Sequence, residues 1–459
     1  MTPGQVPSQK PQTGRCAKET SMKACLAVWP LLVLALIFPA PAGAYDPSSM
    51  QTGPTGESLM RDVLTYARMG DHRTATEADR KTTAWMSKRL AKAGFTVERM
   101  TYTVPQFFPA STDLRVGGKP YQAFPLWPAR ATKGPVSATL AFYDEADPLS
   151  VKGKIAVCSV PFEMGWGLNR SGKPGDPAPV DYLRKLSSSG AIGAIYVVQT
   201  NTNEILAMNV PVKAAPWPIP IILARYGDLA SLKQACAQGQ TATFSIKGSF
   251  KEKAETCNLV ARYGSGGKLM VVTTPLTGWF QCAGERGPGV AMFLALAESI
   301  GKRKPTGVSY LFVGTSGHEL GYRGQEVFME TLNPKPEGMK MWLHLGASIG
   351  TWSSMAEHPA KYDLPGIAPT ELKNLLSAPQ FVPILEKNFA DVFGYKPNAG
   401  RLDGELLRLI KEGYPTFGLW GFLNSFHTRG DTPDNTAPEL LEPIAKAVIQ
   451  SVADIENMP

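Results

Sequence analysis

Hydrophobic and polar positions along the chain follow two different periods. From Glu57 to Gly70 and from Ala78 to Gly94, apolar residues recur every three or four positions. That spacing predicts two helices, the second carrying Trp85, Leu90 and Ala93 and ending at Gly94. Phe95–Val104 alternates with period two, as a half-buried strand does. Between about Val116 and Ser249 the texture changes. Short β-type runs at Ala138–Tyr143, Lys154–Val160, Ala191–Val198, Ile219–Leu223 and Ala242–Ile246 alternate with Pro- and Gly-rich stretches, and one helix, Val180–Ser188, interrupts them. The pattern predicts an inserted β-rich module of roughly 130 residues.

Helices and strands alternate again from Thr256. Strands are expected at Leu269–Thr274, Val308–Val313, Met341–Leu345 and Phe417–Phe422, and helices at Gly289–Gly301 and Pro438–Ile455. Nearly continuous apolar strands between helices predict an α/β three-layer sandwich around a mixed, mostly parallel sheet. A chain of 459 residues fits more than one domain. The expected division is a signal peptide at 1–44, a first part of the main domain at 45–115, the insert at 116–249, and the remainder at 250–459.

The N-terminus changes the reading of charge and compartment. Lys23, the apolar stretch Ala24–Ala40 and Ala42-Gly43-Ala44 follow the order of a secretory signal cleaved after Ala44, with Met1 or Met22 as the start. The full chain carries a net charge of +8; the leader accounts for four cations and one anion of it. No basic cluster with interleaved aromatics is present, so nucleic acid is not an expected partner. Export to the periplasm or the extracellular space would permit disulfides among Cys158, Cys236, Cys257 and Cys282, and the spacing chooses neither a pairing nor free thiols.

Candidate chemistry gathers where the predicted parallel strands end, the usual place for it in such sheets. Ser309–Gly324 reads SYLFVGTSGHELGYRG, placing His318 and Glu319 in a Gly-flanked loop after a buried strand. His344 ends another strand, and His427 lies in the turn His427-Thr428-Arg429-Gly430-Asp431-Thr432. Three of only five histidines therefore fall at strand ends. His72 and His358 read as ordinary surface or core residues. Trp279, Trp342, Trp352 and Trp420 flank the same ends, as pocket lining or as core.

In order and spacing, these motifs resemble the zinc-dependent exopeptidases of metallopeptidase family 28, which includes leucyl aminopeptidases, glutamate carboxypeptidase and, as a relative, glutaminyl cyclase. VKGKIAVCSVP followed by KLSSSGAIGAIYVV is similar to the protease-associated domain of that family. The resemblance implies five ligands for two metal ions, and this chain departs from them. Thr274-Pro275-Leu276-Thr277 stands at the first His-containing motif, and Gly346 at the position of an Asp. Glu285 stands for the bridging Asp, four residues before Gly289; it could equally be an ion-pair partner of the adjacent Arg286. His318-Glu319 stands for the paired glutamates, and His427 for the last His. Asp403 resembles an outer Asp before Gly413-Tyr414-Pro415.

The resemblance thus implies one zinc ion on Glu285, Glu319 and His427, with His318 as general base and His344 beside it. Three functions follow from this reading. The first is an exported hydrolase cleaving a peptide or small amide. The second is a non-catalytic, peptidase-like binding protein. The third is a glutaminyl cyclase-like acyl transferase.

Overall fold

A computed structural model describes residues 53–160, 179–200, 202–210, 216–352, 373–398 and 404–458. The proposed signal, His358 and Asp403 lie outside them. Four strands form the centre of the sheet in the spatial order Thr416–Gly421, Met339–Leu345, Lys268–Pro275, Val308–Thr315, all parallel. The strands expected at Leu269–Thr274 and Val308–Val313 are direct neighbours. Their side chains divide between two faces, as pleating requires. Met270, Val272, Tyr310, Phe312 and Leu343 join one core cluster, and Val271, Leu311, Val313 and Trp342 another. Helices Gly56–Ala67, Glu77–Lys92, Ala283–Arg303, Val382–Asn388 and Pro438–Glu456 cover the first face. Helices Arg323–Leu332 and Gly404–Lys411 contribute Phe328 and Leu409 to the second. The result is the expected mixed, mostly parallel sheet with helices on both sides.

Three expected boundaries move: the strand expected at Ala242–Ile246 runs on to Tyr263, and the other two shifts each have a physical reason. The strand expected to end at Val104 runs from Thr96 to Val116 and pairs antiparallel with Thr241–Tyr263 along its length. Pro105 and Pro109, which cannot donate to a ladder, both lie within it. The strand absorbs them at register shifts between Val104 and Gln106 and between Pro109 and Ser111. The helix expected from Gly289 begins at Ala283. Gly284, Gly287, Pro288 and Gly289 make its first turns poor helix formers. The start is fixed from afar: the Asp431 carboxylate accepts the Gly284 and Glu285 amides at 2.6 and 3.0 Å. It supplies the cap that Cys282, at the N-cap position, does not. A Cβ at residue 284 would stand 2.9 Å from Asp431 Oδ1, so glycine is what lets the carboxylate approach.

The strands at Val136–Phe142, Ile155–Val160, Gly193–Val198 and Ile221–Ala224 continue the sheet beyond Thr241–Tyr263. Their residues build a third core cluster, which also takes in Trp279, Phe280, Trp420 and Phe422 from the ends of the central strands. Packing in this region therefore reaches the strand ends where candidate chemistry was expected. The cysteines among the described residues, Cys158, Cys236, Cys257 and Cys282, are free thiols, with Cys158 and Cys282 buried. Among the described residues, no helix is long and apolar enough to cross a membrane.

Candidate functional site

Beyond the carboxyl ends of the central strands lies a cluster of buried charge. Glu285 lies in the first turn of the helix Ala283–Arg303, with Arg286 beside it. Both side chains are fully buried, and Arg286 Nη2 lies 2.6 Å from Glu285 Oε1. Arg286 Nε also donates to the Thr277 carbonyl at 3.0 Å. On the far side of Glu285, His427 Nε2 is 3.5 Å from Oε1. Burial alone would push the Glu285 carboxyl up, but the Arg286 and His427 charges overrule it and hold it down to about 2. Arg286 in turn is held above its ordinary value: burial lowers it, and Glu285 more than offsets that.

His318 and His344 converge on a carboxylate that sequence reading missed. Glu405, in the first turn of Gly404–Lys411, places Oε2 3.5 Å from His318 Nδ1 and 3.4 Å from His344 Nε2. The signal for it was faint: an acidic residue opening the amphipathic run ELLRLI after a glycine. Trp342 Nε1 donates to the Thr273 hydroxyl at 2.9 Å, and that hydroxyl is 2.9 Å from His344 Nδ1. Donation from Thr273 to Nδ1 leaves the His344 proton on Nε2, facing Glu405; this tautomer is assigned from the network. Burial drives His344 down to about 4, against the opposing pull of Glu405, so the ring is neutral at pH 7.

Glu319 is engaged elsewhere. Its Oε1 accepts the Thr74 amide at 2.6 Å and its Oε2 accepts the Thr277 hydroxyl at 2.9 Å. Burial raises its carboxyl above the usual range, and the threonine donors only partly offset that. Thr277 falls at the motif where the family resemblance implied a ligand. It has become a hub, also accepting the Gly317 and His318 amides at 2.9 and 3.3 Å.

A short roof closes the site. The Ala207 amide donates to the His427 carbonyl at 3.0 Å, and His427 Nδ1 is 3.0 Å from the Ala207 carbonyl. The Val210 amide donates to the Glu319 carbonyl at 3.0 Å. Trp279 Nε1 donates to Asn209 Oδ1 at 2.9 Å, and the Gly430 amide to Glu204 Oε2 at 3.0 Å. Held by these bonds, His427 keeps a left-handed φ of 59°, a conformation that costs a non-glycine residue free energy.

What already touches these side chains decides whether they fit a zinc ion. Glu285 is neutralised by Arg286 and Glu319 has donors on both oxygens, which leaves of the three only His427, whose Nε2 is without a hydrogen bond. Among the described residues, no group of three or more His, Cys, Asp or Glu side chains is arranged to hold a metal. As placed, Glu285, Glu319 and His427 do not offer zinc a ligand set. The structure brings Glu285 to His427, and His318 and His344 to Glu405. It turns Glu319 toward Thr74 and Thr277.

The fold defines the class to which the chain is similar. A precursor of metallopeptidase family 28 from Shewanella amazonensis superposes with a TM-score of 0.68 at 17% identity, over 90% of this chain and 95% of that one. A zinc aminopeptidase from Bacillus subtilis gives 0.66 at 15%, over 88% and 95%. An aminopeptidase from an Aneurinibacillus species gives 0.61 at 15%, over 88% and 94%. At such identities the likeness establishes a shared fold. No protein-family model and no curated protein matches the sequence.

Proposed function

We propose that this chain is an exported, peptidase-fold binding protein that takes a peptide or small amide without a resident zinc ion. The observation that supports this reading is Arg286. A fully buried guanidinium rests on Glu285, one of the three residues that the resemblance assigned to zinc. Bringing a dication beside that guanidinium means strong like-charge repulsion at low dielectric, and it competes for the same carboxylate. The roof at 202–210 supports the reading further, because it bonds to both His427 and Glu319. The segment 116–249 is the module that supplies this roof, and residues 1–44 are the export signal.

The test is metal analysis of the purified chain together with a broad peptide panel. The expected result is zinc far below one equivalent and no amide hydrolysis. Stoichiometric zinc, with activity lost to a chelator, would restore the hydrolase reading, with His318 as base. Ammonia released from a glutaminyl peptide would instead favour the cyclase-like reading.

A further inference from the structure

A cleft of about 340 Å³ opens beside the roofed cluster, and its polar groups are unbalanced. Phe108, Phe124 and Pro125 give it apolar walls, and Asp71, Arg73 and Arg429 give it charge. Arg73 is only 5% exposed. Its guanidinium donates to Gln106 Oε1 at 2.9 Å and to the Phe107 carbonyl, and lies 5.5 Å from the Trp279 ring centre. Both acceptors are neutral, and Nε has no hydrogen-bond partner. Among the described residues, no carboxylate lies within ion-pair distance of Arg73. Asp71 and Glu319 act on it only from further off, and burial lowers it to about 10, so it stays charged at neutral pH. Buried charges are normally paired, and this one lines an open cleft.

The second cation stands at the rim. The Arg429 side chain is 64% exposed and lies over the Phe280 ring at 4.6 Å, with Asp71 Oδ2 3.5 Å away. Phe124 meets Phe280 and Trp279 edge-on, so the aromatic wall is a packed unit. Gln106 fixes the inner guanidinium in turn. Its Oε1 accepts Trp127 Nε1 at 2.6 Å, and its Nε2 donates to the Thr74 carbonyl at 3.0 Å. Two arginines against one aspartate, beside fixed aromatic surface, match an anion carrying an apolar body. Guanidinium binds carboxylate with charge-assisted, directional hydrogen bonds.

We propose that this cleft holds the C-terminal carboxylate of a peptide ending in an aromatic or apolar residue, between Arg73 and Arg429. The proposal rests on the binding-protein reading and names the ligand class for it. Asp71 limits the gain and favours ligands without a second negative charge.

The test is calorimetric titration of the full chain with N-acetylphenylalanine and with its C-terminal amide. The acid is expected to bind about tenfold or more tightly than the amide, a difference of about 1.4 kcal/mol. Arg429→Ala is expected to remove most of that preference, read as the ratio of the two affinities in the same variant. Arg429→Glu should reverse it. Equal affinities for acid and amide, no binding of either, or a preference that survives both substitutions would overturn the proposal. Failure of the metal-free reading is read separately, as zinc content and amide hydrolysis.

Discussion

Glu285 and Glu319 are both completely buried near the same strand ends, and their surroundings push them in opposite directions. Glu285 has a guanidinium against it and an imidazole beside it, and its carboxyl falls to about 2. Glu319 has an amide and a hydroxyl, both neutral, and its carboxyl rises. Burial is the largest single influence on each. A neighbouring full charge outweighs it, and neutral donors do not. Glu285 therefore depends on Arg286, whereas Glu319 is a hydrogen-bonded brace between Thr74 and Thr277. On the metal-free reading proposed above, this contrast replaces a bound metal ion with a residue of the chain. The cation in its site is part of the polypeptide.

The sharpest way to break the comparison is to remove the guanidinium. Arg286→Met should cost about 3–5 kcal/mol, since it leaves a buried carboxylate uncompensated. Urea midpoints would measure it. Adding Glu285→Gln should recover most of the loss; a double variant as unstable as the single one would show that Arg286 acts through packing alone.

Acid should reveal the same asymmetry in two stages. His344 is lowered from 6.5 to about 4, so the folded chain excludes a proton that the unfolded chain accepts, and stability falls as pH drops from about 6.5 to 4. His72, lowered to about 3 by burial, adds to this limb. Glu285 is lowered from 4.5 to about 2, so its contribution is present above about 4.5 and fades as pH falls toward 2. Both limbs are read as differences between variant and parent across pH 7 to 3, because Asp431, raised to about 8 by burial, and Glu319, also raised, add stability as pH falls over the same range. His344→Gln should flatten the upper one, and the gap between Arg286→Met and the parent should narrow at the acid end.

A third substitution probes the roof. Ala207→Pro removes the amide that donates to the His427 carbonyl. Leaving that carbonyl unpaired should cost about 1–3 kcal/mol and speed hydrogen exchange in 202–210. Unchanged exchange there would mean that the roof does not depend on this bond.

The smallest effect is expected at Glu319. Glu319→Gln keeps the shape and can still accept the Thr74 amide but not the Thr277 hydroxyl, so the loss should be about 1 kcal/mol, the size of one neutral hydrogen bond. A loss as large as that of Arg286→Met would erase the contrast between the two carboxylates.

Much of this was legible along the chain. Apolar runs at Leu269–Thr274, Val308–Val313 and Met341–Leu345 specified buried parallel strands, because period and composition are local properties. The ends of those strands drew attention to His318, His344 and His427, which lie beside the buried carboxylates Glu405 and Glu285. Arg286 appeared only as a possible neighbour of Glu285, and Glu405 was missed, because neither belongs to a recognisable local pattern. The helix start at Ala283 was equally hidden, since its cap, Asp431, is 147 positions away.

By itself, then, the sequence determined which segments are strands and helices, which faces they bury, and that imidazoles and carboxylates collect at strand ends. The tertiary structure decided what those groups do. Adjacent residues such as Glu285 and Arg286 can point together or apart, and only packing selects the ion pair. Whether a buried carboxylate faces a cation or a hydroxyl is set by chain segments far apart in sequence, as Thr74 and Glu319 show. Protonation follows from that local field, and no spacing rule carries it.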